Sequence, residues 1–68
     1  MNDETFNLSI RKFLKMVGIN SQREIEQAVA RALADGSIAG RERFPAEVAL
    51  IIPGLSIDVK FDGEIKLE

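Results

Sequence analysis

The sequence predicts an α+β domain in which two amino-terminal helices, about 3–17 and 22–35, pack on a carboxy-terminal antiparallel β-hairpin, about 43–52 and 55–66. Three observations carry that expectation. Apolar residues recur with a helical period as far as Gly36, the period changes to two beyond it, and a Pro53-Gly54 pair divides the second region into two runs.

In the first helix Phe6, Ile10, Phe13, Leu14 and Val17 fall at i, i+4, i+7, i+8 and i+11, one stripe of a 3.6-residue repeat. Asn2 or Asp3 can cap its first turn, Asp3 and Glu4 suit the positive end of the macrodipole, and Gly18 can take a left-handed stop. Ser21-Gln22-Arg23-Glu24 then has the form of a capping box, which opens a second helix. Ile25, Ala28, Val29, Ala32 and Leu33 keep helical spacing, and Asp35-Gly36 supplies a terminator. With only Gly18, Ile19 and Asn20 between them, the helices are expected to form an αα-hairpin or a helix-turn-helix corner.

Beyond a polar connection at 37–43, where Ser37-Ile38-Ala39 could add a short strand, every odd residue from Leu55 to Leu67 is apolar or glycine and every even one is polar. Upstream, Phe44, Ala46, Val48, Leu50 and Ile52 form the matching apolar set. A two-residue Pro-Gly loop pairs Ile52 with Leu55, and later partners then sum to 107, so that Val48 meets Val59 and Phe44 meets Gly63. The opposite face pairs Glu47 with Lys60 and Arg43 with Glu64. A four-residue loop that keeps this pairing is also compatible, since L-Pro-Gly favours a type II turn whose twist suits hairpins poorly. A three-residue turn at Asp62-Gly63-Glu64 would instead give a three-stranded meander. The expected core includes Phe6, Phe13, Val29, Leu33, Leu50 and Ile57.

Composition bounds the function. Sixty-eight residues make one domain, without repeats or low-complexity segments, near the lower size limit for independent folding. Such a chain buries only about 60% of its unfolded surface, so small domains often add a staple or a partner. Cysteine and histidine are both absent. Disulfides are therefore excluded, and so are the preferred ligands of zinc and most transition metals. No metal, cofactor or catalytic residue is expected. Triad chemistry lacks its base, and Thr5, Ser9, Ser21, Ser37 and Ser56 read as cap, surface or turn residues. Asp58 and Asp62 come closest to a carboxylate pair but lie on the solvated strand face, and the glycines form no phosphate loop.

The acidic, polar start Met1-Asn2-Asp3-Glu4 does not resemble a secretory signal, and the longest apolar run, Val48 to Ile52, is strand-sized; a cytoplasmic protein that does not enter the membrane is expected. Nine basic against eleven acidic residues give a net charge of −2 and a pI near 5.1, opposite to the footprint of a nucleic-acid binder. The basic residues do cluster, with Arg11, Lys12 and Lys15 on the first helix and Arg23 at the start of the second. Phosphate contact through a helix-turn-helix-like pair, presenting Asn20, Gln22 and Arg23, is therefore the alternative function, opposed by Glu24 and Glu26 on the same turn.

The leading expectation is a non-enzymatic module that binds an unknown protein or itself. A ten-residue strand reaches about 33 Å and a fifteen-residue helix about 22 Å, so the hairpin should overhang its helices. The overhanging tip would expose Ile51, Ile52 and Leu55, and both strands would be edges open to a two-fold homodimer.

Phe6-Asn7-Leu8-Ser9-Ile10-Arg11-Lys12-Phe13-Leu14-Lys15, followed by Val17-Gly18-Ile19 and Ser21-Gln22-Arg23-Glu24-Ile25-Glu26, resembles a family of short bacterial proteins, domain of unknown function 6494. The similarity extends through Asp35-Gly36, Pro53-Gly54 and Gly63-Glu64-Ile65. It implies a bacterial stand-alone domain and transfers no functional residues.

Overall fold

The computed structural model describes residues 1–68, which divide into two structural units, Met1–Ser37 and Ile38–Glu68. The first is one helix. Helix α1 runs unbroken over Asp3–Ala34, 32 residues. Asn2 is its N-cap: its backbone is extended, its side-chain oxygen accepts from the Thr5 amide at 3.0 Å, and its carbonyl accepts from the Phe6 amide at 3.0 Å.

The expected division into two helices is overturned. Gly18, Ile19, Asn20 and Ser21 are all helical, and the Ser21-Glu24 capping box does not form. The physical reason is that nothing in this stretch forbids a helix. A glycine costs about 1 kcal/mol relative to alanine, and Asn and Ser cost less. Stopping and restarting would sacrifice several backbone hydrogen bonds and require a second nucleation. Only a proline would have forced the break, and none lies between residues 3 and 34. What the sequence does register there is a rotation of the apolar stripe. At 100° per residue, Ile25 lies about 80° around the axis from Val17. The stripe thus winds around one continuous helix instead of changing helices.

The carboxy-terminal stop is where the sequence places it, and its chemistry is complete. Gly36 has φ +80°, the Ser37 amide donates to the Ala32 carbonyl at 2.9 Å and the Gly36 amide to that of Leu33 at 3.3 Å. These are the paired bonds of a Schellman motif, which needs a residue without Cβ strain at the position of Gly36. Asp35 locks the exit by accepting from both the amide (2.8 Å) and the hydroxyl of Ser37.

Ser37-Ile38-Ala39, where the two units meet in sequence, forms no strand, and the second unit is a hairpin that follows a short connection. Strand β1 spans Arg43–Ile52, strand β2 spans Ile57–Lys66, and they make a two-stranded antiparallel sheet. Asp62 and Gly63 lie inside β2, so the three-stranded meander is excluded. The register differs from the expected one by two residues. Ile52 pairs with Ile57, and partners sum to 109: Val48 faces Phe61, Ala46 faces Gly63 and Phe44 faces Ile65.

The loop explains the shift. Pro53-Gly54-Leu55 forms one 3-10 turn, for which the fixed φ of proline is suited, and Ser56 then takes the left-handed conformation (φ 54°) that sends the chain back. The Ser56 amide closes the turn on the Pro53 carbonyl at 3.1 Å. Leu55 is consumed by the loop instead of opening β2. Because a two-residue slip preserves side-chain parity, the apolar sets still share one face.

No side chain in the chain is buried. Of the six expected core residues, Phe6, Phe13 and Leu33 are each more than two-fifths exposed, and Val29, Leu50 and Ile57 are only partly covered. Two helices packed on a hairpin are therefore not what this sequence forms: there is one helix, and there is no buried core. The length mismatch behind the expected overhang is absent, since the helix has 32 residues and reaches about 48 Å, against about 33 Å for a ten-residue strand.

Candidate interaction surface

Alternation along the strands sorts the hairpin into two faces. One carries Phe44, Ala46, Val48, Leu50 and Ile52 from β1 with Ile57, Val59, Phe61, Gly63 and Ile65 from β2. Its centre is open to solvent: Val48 is 51% exposed, Val59 45% and Phe61 58%. Because Gly63 stands opposite Ala46, two small residues face each other and leave a hollow of about 290 Å³, bounded also by Val48, Phe61 and Ile65.

The other face is charged. Lys60 meets Glu47 at 3.4 Å and Arg43 approaches Glu64 to 4.0 Å. The expected register sets these pairs directly opposite one another; in the actual register they are diagonal, and the direct neighbours are the like-charged Glu47 with Asp62 and Arg43 with Lys66. All four paired side chains are about half exposed or more, so each pair contributes well under 1 kcal/mol. Their role is to keep this face in water.

The two sheet edges are not equivalent. The Leu67 amide donates to the Glu42 carbonyl at 3.1 Å, which makes that pair a hydrogen-bonded one. Alternation then assigns the ladder bonds to even residues of β1 and odd residues of β2. Pro45 consequently has its nitrogen on the outer edge, where β1 lacks one donor. On β2 the outward amides and carbonyls belong to Asp58, Lys60, Asp62, Glu64 and Lys66, an unbroken row.

A family model matches the chain from residue 1 to residue 68 and is described as a family of unknown function, DUF6494. The chain belongs to that family. No curated protein and no solved structure matches it. Membership in DUF6494 brings no activity and no site, so the residues of this DUF6494 protein must be read on their own chemistry.

The three tip residues expected to form an interaction site lie on different surfaces: Ile52 lies on the apolar face and is half-buried, Ile51 lies on the charged face at 61% exposed, and Leu55 sits in the loop at 67% exposed.

Arg11, Lys12, Lys15 and Arg23 are all exposed on α1, within about 120° of one another at 100° per residue. Glu4 and Glu26 fall inside the same sector, so the patch is of mixed sign. The helix pair that the nucleic-acid alternative requires is absent, and Asn20, Gln22 and Arg23 lie in mid-helix, not at an amino end that could enter a groove. A hollow lined by Glu4, Thr5, Asn7, Leu8 and Arg11 draws all its walls from the one helix and cannot enclose a ligand. Nowhere do three acidic side chains converge to hold a metal ion, and no helix is long and apolar enough to cross a membrane.

Glu42 has a role that periodicity and motif spacing miss. Its carboxylate accepts from three successive amides, those of Ala39 (2.8 Å), Gly40 (2.9 Å) and Arg41 (3.0 Å), with Gly40 at φ +95°. The Ala39 amide above all, with those of Gly40 and Arg41, holds this carboxyl below its ordinary value. A Gly one residue before a basic-acidic pair ahead of a strand is the pattern that could have pointed to it.

Proposed function

We propose that this protein is a non-enzymatic protein-interaction or self-associating module of the bacterial cytoplasm. One observation carries the reading: no side chain is buried, while large apolar residues from Phe6 to Phe61 stand exposed. Fully burying one such side chain contributes about 1.5–3 kcal/mol, and a hairpin of two strands is marginal by itself. A chain with this surface gains its missing burial from a second polypeptide. The absence of cysteine supports the cytoplasmic assignment, because small secreted domains that lack a core usually carry disulfides. An interaction role is supported by the open apolar face of the hairpin, at whose centre Val48, Val59 and Phe61 are exposed.

The test is sedimentation over a wide concentration range, with helicity followed in parallel. The expected result is a mass above the 7.5 kDa of one chain, with helicity lost on dilution and association weakened by Phe61→Lys. A chain that stays monomeric, unfolds cooperatively and melts at the same temperature with Phe61→Lys as without it would need no partner, and the reading would fall.

A further inference from the structure

We infer that two copies of this chain pair through the free edge of β2, antiparallel about a two-fold axis at Asp62, to form a continuous four-stranded sheet. The inference rests on the self-associating reading above and specifies its partner, edge and register. Three observations select them. Only β2 has a complete outer row of donors and acceptors, since Pro45 removes one donor from β1. The outward residues are all even-numbered, so a hydrogen-bonded pairing must join even to even, and this puts the apolar faces of both hairpins on the same side.

Charge then fixes the axis. Centred on Asp62, the row Asp58, Lys60, Asp62, Glu64, Lys66 is nearly self-complementary: Asp58 faces the partner's Lys66 and Lys60 faces the partner's Glu64. Each pair occurs twice by symmetry, against one Asp62 contact with its own copy. Moving the axis to Phe61 sets Asp58 against the partner's Glu64, and moving it to Gly63 sets Lys60 against the partner's Lys66. Only the axis at Asp62 pairs the whole outward row.

The apolar face fits the same register. The exposed ring of Phe61 comes opposite the partner's Gly63, in a non-hydrogen-bonded site where Cα atoms approach to about 4.5 Å. That is where each hairpin has its hollow, and an aromatic side chain set across from a strand glycine covers such a gap. The fit is reciprocal, as a two-fold interface requires.

The test is sedimentation equilibrium of the full chain and four variants, with circular dichroism to follow the hairpin. Asp58→Lys and Lys66→Asp should each weaken the dimer about tenfold by turning both symmetric copies of one ion pair repulsive. The double variant should return to the parent affinity. Neither residue has an ion-pair partner within the chain, and Lys66→Asp even gives Arg43 an opposite charge across the strand, so loss of association there does not reflect a weakened hairpin. Asp62→Pro removes an outward amide and the Asp62 carboxylate but no ladder bond within the hairpin, and should leave a folded hairpin that does not dimerise although the like-charge contact at the axis is gone. A dimer indifferent to Asp62→Pro, or a double variant no tighter than the singles, would overturn the β2 edge while leaving self-association standing. A chain that is monomeric throughout but unfolded until another protein is added would overturn the dimer and keep the interaction module.

Discussion

Glu42 shows how much a single side chain organises where no core exists. Its carboxylate gathers the amides of Ala39, Gly40 and Arg41, and its carbonyl receives the amide of Leu67, so one residue ties the entry of the hairpin to its exit. Asp35 has the corresponding place at the end of α1, where the hydroxyl of Ser37 first, and then its amide, holds the carboxyl below its ordinary value. In both cases the folded-state pKa is depressed. The stabilisation is therefore fully present above the ordinary values, 4.5 for Glu42 and 3.8 for Asp35, and is lost as pH falls through the lower folded values. Hydrogen exchange at Ala39, Gly40 and Arg41, taken relative to intrinsic rates, should lose protection on acidification below that range. Glu42→Gln should abolish the pH dependence and leave those amides poorly protected at neutral pH. Ser56 belongs to the same scale. It is the only residue other than glycine with positive φ, so Ser56→Gly should relieve left-handed strain and stabilise the hairpin by about 1 kcal/mol, read as a raised melting temperature at fixed protein concentration.

Among the elements, the test falls on the middle of α1. Gly18 is helical, and a methyl group added there meets nothing within 4 Å. Gly18→Ala should therefore stabilise the helix by about 1 kcal/mol and raise helicity. If Gly18 were a left-handed stop the same change would destabilise, so its sign separates one helix from two. Gly36, with φ +80°, is the control: there alanine should cost about 1–2 kcal/mol and fray the last turn. The same contrast explains what the sequence conveyed at this level. Both glycines are legible as possible stops, but only Gly36 is followed by a chain that leaves the helix. A capping box is a permissive pattern; it acts only where the helix must end for some other reason.

At the scale of the whole molecule, the governing fact is surface. Exposed Val48, Val59 and Phe61 on the hairpin and exposed Phe6, Ile10 and Phe13 on α1 give an isolated chain little reason to stay ordered. The melting temperature should accordingly rise with protein concentration, as linked association requires, and a concentration-independent transition would show that burial within one chain suffices. Val48→Lys, at the centre of the apolar face, should remove most of that concentration dependence. Glu47→Lys, on the charged face, exchanges the diagonal Lys60 pair for an opposite charge across from Asp62, and should change hairpin stability by well under 1 kcal/mol and leave the dependence intact.

By itself the sequence determined the local elements whose cause is local. Two-residue alternation determined the strands and which side chains share a face, a cap at Asn2 or Asp3 and the Asp35-Gly36 stop marked where the helical region begins and ends, and the absence of Cys excluded a disulfide. The β1 limits, 43–52, are legible to the residue because alternation begins after Arg43 and Pro53 ends it. What only the tertiary structure decided were quantities that compare alternatives of nearly equal local energy. A two-residue slip of register keeps every side chain on its face, so the pattern alone cannot distinguish Val59 from Phe61 as the partner of Val48; the conformation of Pro53 to Ser56 did. A helix of modest propensity across Gly18 to Ser21 differs from a turn by a few kcal/mol at most, and backbone hydrogen bonding tipped it toward continuity. Burial is the furthest from the pattern of all. Periodicity states which faces are apolar, but whether a face is covered depends on what lies against it, and that is a property of packing.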